Sequence, residues 1–257
     1  MATQGQAEWM AESMRLTLFI ADPTFNTSIV SLWSQIAKSE PDVQTTQKTA
    51  PRVHVHGPID GQSCIFSLDA QPGRVDLSLS TLIPNDAKLE NFPSFGTWSK
   101  GVEVYCQLFL PWISSAPSVS RMAFGTLVTA AMPDRVTGYQ HLQRYLGFVK
   151  LDPAGSSDFS YSINRPRPSQ TDAGITINRL SKWSVAALSN FEIEFAPGTT
   201  QVFGQLQTEP GLHASRVELD INTAGAMRTA LSGDKAAKIL SELIDFSAEI
   251  LAKGDVP

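Results

Sequence analysis

Apolar residues recur at every second position through most of this chain, and that period is what most restricts its fold. In Arg216–Asn222 the residues Val217, Leu219 and Ile221 alternate with Glu218, Asp220 and Asn222, so a strand there has one apolar face and one wet face. Arg15–Ala21, Arg52–His56, Ser63–Asp69 and Arg74–Ser80 repeat the pattern, with Gly57-Pro58, Asp60-Gly61 and Pro72-Gly73 as turns between the last three. A sheet with one dry face needs a cover. The chain supplies one in Lys235–Lys253, where Ala236, Ile239, Leu240, Leu243, Phe246 and Ile250 fall at spacings of three and four. Lys235, Lys238, Glu242, Asp245 and Glu249 are expected on its wet side, Asp234 as its N-cap and Gly254 as its left-handed terminator.

Two other segments carry helical spacing. Asp22-Pro23 reads as a cap and first turn leading into Phe25, Ile29, Leu32, Trp33 and Ile36, and Asp134 leads into Val136, Tyr139, Leu142 and Leu146. Val102–Leu110 reads as a strand, with Val104, Cys106, Leu108 and Leu110 alternating against Glu103 and Gln107; Val119–Ala131 is apolar enough for a buried strand, although its periodicity alone also fits a helix. Strands are also expected at 159–164, 174–179, 182–188, 191–195 and 201–208. The fold class is therefore α+β, with mainly antiparallel sheets in two strand–helix–strands halves and a long C-terminal helix packed on a sheet. Residues 1–14 read as a loosely held arm, 15–81 as the first half, 82–101 as a connecting segment and 102–257 as the second half, able to form one continuous domain with the first.

At 257 residues the chain buries a full core without covalent staples. Cys64 and Cys106 lie in apolar runs and read as free thiols. A net charge of −5 argues against a nucleic-acid partner, and no apolar run approaches the roughly 20 residues of a membrane span. A cytoplasmic protein without a cofactor is expected, since phosphate-loop, dinucleotide, nucleophile-elbow and zinc-binding patterns are all missing from the sequence.

Three clusters carry possible chemistry. His54-Val55-His56 puts two imidazoles on one strand face, a geometry that holds a divalent metal if Asp60 or Asp69 approaches; the alternative is an ordinary wet face shared with Arg52. Arg165-Pro166-Arg167-Pro168, with Arg144, Arg179 and Lys182, offers an anion- or partner-binding site, because proline holds such a segment extended and guanidinium grips carboxylate or phosphate. Glu192 and Glu194 alternate with Phe191, Ile193 and Phe195 and fit an exposed strand face as well as a carboxylate pair.

The order Val119-Ser120-Arg121-Met122-Ala123-Phe124, then Val217-Glu218-Leu219-Asp220-Ile221-Asn222 and a closing helix, resembles a sporadically distributed prokaryotic family of unknown function. That family carries a Val-x-Arg strand mid-chain and a C-terminal strand and helix. Ala123 stands where the family has glycine, and Gly125-Thr126 where it has Arg-Tyr. The resemblance implies a soluble microbial protein that acts on a partner, and no catalytic residues.

The expected function is a non-enzymatic binding or protein-interaction module. One alternative is an assembly subunit that pairs through strand edges. The other is a metal-assisted hydrolase, or an enzyme processing a small ligand, built on His54 and His56.

Overall fold

A computed structural model describes residues 7–22, 28–47, 52–83, 90–188, 191–195, 202–206, 211–225 and 230–255. The first half runs β1 (Met10–Ile20), α1 (Ile29–Ala37), β2 (Val43–Gln47), β3 (Arg52–Pro58), β4 (Cys64–Gln71), β5 (Arg74–Thr81) and α2 (Trp98–Ile113). The second runs β6 (Val119–Met132), α3 (Arg135–Gln143), β7 (Ser160–Asn164), β8 (Arg167–Pro168), β9 (Thr176–Leu188), β10 (Phe191–Phe195), β11 (Val202–Leu206), β12 (Leu212–Thr223) and α4 (Gly233–Lys253).

Ten strands form one antiparallel sheet in the order β2-β3-β4-β5-β1-β6-β12-β9-β7, with β8 continuing the β7 edge along β9. Strands β10 and β11 pair separately. Each half begins with the strand that lies at the centre: β1 pairs with β5 and β6 with β12, and β1 and β6 pair with each other. The two halves therefore share one sheet and one seam. α1 and α2 cover the first half of the dry face and α3 and α4 the second. No helix among the described residues is long and apolar enough to cross a membrane.

The period-2 pattern fixes which face is dry. Leu16 and Leu18 of β1, Phe124 of β6 and Val217 and Ile221 of β12 are fully buried beneath the helices. Leu243 and Phe246 of α4 are 0% and 5% exposed, so the C-terminal helix does roof the sheet. Trp33 stacks on Phe66 at 4.5 Å, and Phe66, Phe109, Tyr105 and Phe124 continue the contact from α1 through β4 and α2 to β6.

Several expectations change. Val102–Leu110 is not a strand but lies inside α2, whose buried residues Gly101, Val104, Tyr105, Phe109 and Ile113 follow helical spacing. The Thr97 side chain caps it by accepting from the Lys100 amide at 3.3 Å. Residues 174–188, expected as two strands, contain the single strand β9, and β2 adds a strand before β3. Residues 10–14 are the start of β1, and Trp9 is buried with its indole N–H donating to the Leu251 carbonyl at 3.1 Å. α1 is capped by Ser28, while Pro23 and Phe25 lie outside the described residues. Ser232, not Asp234, occupies the N-cap position of α4; Asp234 sits in its first turn. Gly254 ends the helix at φ +81°, with the Tyr145 backbone so close that no side chain fits.

Candidate functional site

The face without helices is wet, and register decides which of its residues become neighbours. Ser78 of β5, Arg15 of β1, Gly125 of β6, Asp220 of β12 and Leu180 of β9 form one row across the centre of the sheet. Ser80, Ser13, Leu127, Glu218, Lys182 and Ser162 form the row beside it. These two rows line an open trough of about 550 Å³ whose floor is Gly125. That volume lies within the range typical of small-molecule sites, roughly 300–1,000 Å³.

Gly125 has no backbone reason to be glycine, since its φ is not positive. Nor does packing require it. A Cβ there would meet the Leu219 carbonyl oxygen at 3.6 Å and Arg15 side-chain nitrogens at 3.9 and 4.0 Å, all ordinary contacts. A glycine inside a strand costs about 0.5–1 kcal/mol relative to alanine-like residues, and its use there often marks close approach by a ligand. Gly125 leaves no side chain between Arg15 and Asp220, and the Arg15 guanidinium reaches toward that place.

The two walls differ in charge. Arg15 is exposed and has neither hydrogen bond nor ion pair among the described residues, and Ser13, Ser78 and Ser80 stand around it. Across the gap Asp220 accepts from Asn222 Nδ2 at 3.0 Å and has no cationic partner among the described residues. Glu218 is compensated, with Arg216 Nη1 at 3.1 Å and Lys182 Nζ at 3.5 Å. Beyond it burial pushes the half-buried Glu12 carboxyl up; Arg216 opposes that shift and Glu218 adds to it. A row of amides stiffens the next register line: Asn164 donates to Asn178 at 3.0 Å, and Asn178 to Asn222 at 3.1 Å.

Of the residues singled out from sequence, Lys182 lines this trough. Arg165, Arg167 and Arg179 lie elsewhere, between the β7–β9 edge and the end of α4. Arg165 Nε donates to Asp255 at 2.6 Å, and Tyr161 donates to the same carboxylate at 3.2 Å. Arg167 Nη1 and Arg179 Nη2 meet Glu249 Oε2 at 2.8 and 3.2 Å. The Arg179 side chain is 1% exposed and lies over the Phe246 ring at 5.2 Å. Burial, and Arg167 beside it, lower its pKa despite Glu249. In this arrangement the three arginines hold carboxylates of the chain itself. Arg144 closes α3.

His54 and His56 share the wet face near the β2 edge. Their facing ring nitrogens lie 3.1 Å apart, and His54 Nδ1 is 3.4 Å from Asp69, which Arg52 holds at 2.6 Å. Among the described residues no group of three His, Cys, Asp or Glu is placed to hold a metal ion. The side chains of Glu192 and Glu194 lie outside the described residues. Both cysteines are free, and burial pushes the Cys64 thiol up to about 11.

Glu242, expected on the wet side of α4, is 7% exposed and inward-facing. It accepts from the Ser169 hydroxyl at 2.7 Å and from the Gln170 and Thr171 amides at 2.5 and 3.3 Å. Sequence reading passed over Arg15, Gly125 and Asp220 as well. The one signal for them was a glycine in the middle of the long strand β6. No protein-family model, no curated protein and no solved structure matches the chain.

Proposed function

We propose that this chain is a binding module that seats a small polar ligand in the trough over Gly125. The observation that carries this reading is the glycine itself: neither φ nor a close neighbour demands it, and it leaves no side chain between a guanidinium and a carboxylate that have no ion pair among the described residues. The serines of the trough have no imidazole or thiol among its lining residues to activate them, so the geometry favours holding a ligand over transforming it. The test is a screen of polar fragments followed by amide chemical shifts. Binding should move the signals of Arg15, Ser78, Ser80 and Asp220, and Gly125→Val, which fills the gap, should fold and lose the response. Hits that map elsewhere, or that survive Gly125→Val, would overturn the reading.

A second reading, self-assembly through a strand edge, is favoured by β2. All five of its residues, Val43–Gln47, are exposed, and none is charged or proline, the usual protections of an open edge. A second copy pairing there would extend the sheet. Light scattering at micromolar concentration, with Thr45→Lys as control, separates the two readings: a strict monomer ends this one and leaves the first intact.

A further inference from the structure

We infer that the ligand of the trough is a small zwitterion, a carboxylate and an ammonium on one molecule, with the acid toward Arg15 and the amine toward Asp220. This rests on the binding reading above and specifies its chemistry. Arg15 and Asp220 are two strands apart in one register row, about 10 Å at the backbone for strands about 4.8 Å apart. Neither neutralises the other, for no ion pair joins them, and between them Gly125 contributes no side chain. On the same face Glu218 has Arg216 and Lys182 as partners. Here one cation and one anion are left facing the same gap.

That pairing discriminates between ligand classes. A simple anion satisfies Arg15 but lies opposite the carboxylate of Asp220. A simple amine satisfies Asp220 but approaches Arg15. A molecule with both groups meets a complementary charge on each wall. Ser13, Ser78 and Ser80 supply hydroxyl donors on the Arg15 side, where a carboxylate has more lone pairs than one guanidinium fills. Leu127, two residues from Gly125 on β6 and between Ser13 and Glu218 in the neighbouring row, gives the trough an apolar strip beside the methylenes that join the two charges.

Titration calorimetry at low salt tests this with glycine, 4-aminobutyrate and 6-aminohexanoate, which span a range of charge separations, against butyrate and butylamine. At least one amino acid should bind tenfold or more tighter than either single-charge probe. Arg15→Gln should abolish that binding, and Asp220→Asn should reduce it to the butyrate level, with circular dichroism confirming that both variants are folded. Butyrate or butylamine binding as tightly as every amino acid, an Asp220→Asn variant with unchanged affinity, or no binding of any amino acid would each overturn the zwitterion assignment. In those cases the trough stands as a binding seat if the fragment hits remain sensitive to Gly125→Val. Amino-acid binding that is unchanged in Gly125→Val overturns both.

Discussion

The two halves of the sheet follow the same order of elements outward from a shared seam at β1 and β6, yet they secure their outer edges differently. In the first half the last strand, β2, is exposed along its whole length, and the network near it, Arg52–Asp69–His54–His56, lies on the wet face. In the second half the edge strands β7 and β8 are tied to the helix layer by Arg165–Asp255 and Arg167–Glu249, and the following loop is held by Glu242. The covering helices differ accordingly. The buried residues of α2 are apolar apart from the Tyr105 hydroxyl, whereas α4 brings a buried acid inside and a second acid against a buried arginine. The same architecture thus tolerates a purely apolar cover on one side and a polar-strapped cover on the other.

The largest test of that difference compares one aromatic from each cover. Phe109→Ala in α2 and Phe246→Ala in α4 each remove a ring that is at most 5% exposed, and each should cost about 3–5 kcal/mol in denaturant unfolding. Phe246→Ala should cost more, because Arg179 then loses the ring it lies on while staying buried. Equal losses would show that the strapped half gains nothing from that contact.

Next in size is a pH effect centred on α3. His141 of α3 is packed between Trp9 and Tyr145, each at 5.3 Å, and neither of its ring nitrogens has a partner among the described residues. Burial, helped by Arg144, lowers its pKa from 6.5 to about 4. The unfolded chain therefore binds a proton between those values while the folded chain does not, so stability is lost as pH falls through that window and is unaffected above it. At about 1.36 kcal/mol per pH unit the loss is about 3 kcal/mol. Urea melts at pH 7 and pH 4.5 should show it, and His141→Phe should remove that share of the slope while keeping the ring packing. An unchanged slope would mean that the imidazole is protonated in place.

A smaller effect probes the strap directly. Glu242→Gln keeps an acceptor for the two donors that share Oε2, the Ser169 hydroxyl and the Thr171 amide, and points an amide N–H₂ at the Gln170 N–H, a loss of about 2 kcal/mol. Hydrogen exchange should rise at Gln170 and Thr171 before it rises in β9. Protection that falls equally in the first half would show that the two covers unfold as one.

These contrasts also explain what could be read beforehand. The meander β3–β5 and the roofing by α4 were visible because alternation and helical spacing occur there without competition. α2 was not, because Val102, Val104, Cys106, Leu108 and Leu110 imitate a strand in a helix that is apolar on nearly every side; the Thr97 cap was the signal against it. Glu242 was misplaced because a helical wheel shows the wet side but not the loop that folds over it. The trough was invisible for a related reason. Arg15, Gly125 and Asp220 each look like an ordinary open-face residue, and only the pairing of β1, β6 and β12 makes them neighbours.

The smallest expected change in stability lies on the seam itself and has the opposite sign. Gly125 sits in the middle of β6, bonded on one side to the first half through β1 and on the other to its own half through β12. A Cβ there meets only ordinary contacts, and a β-branched residue restricts the unfolded chain more than glycine does. Gly125→Val should therefore raise stability by about 0.5–1 kcal/mol, with Arg15 turning aside at its flexible end. A loss of stability instead would show that Gly125 is needed to pack the seam, and the gap would then be a by-product of joining the halves. A gain together with lost binding means that the two halves leave their shared strand less stable than it can be, to keep room for a ligand between the Arg15 of one and the Asp220 of the other.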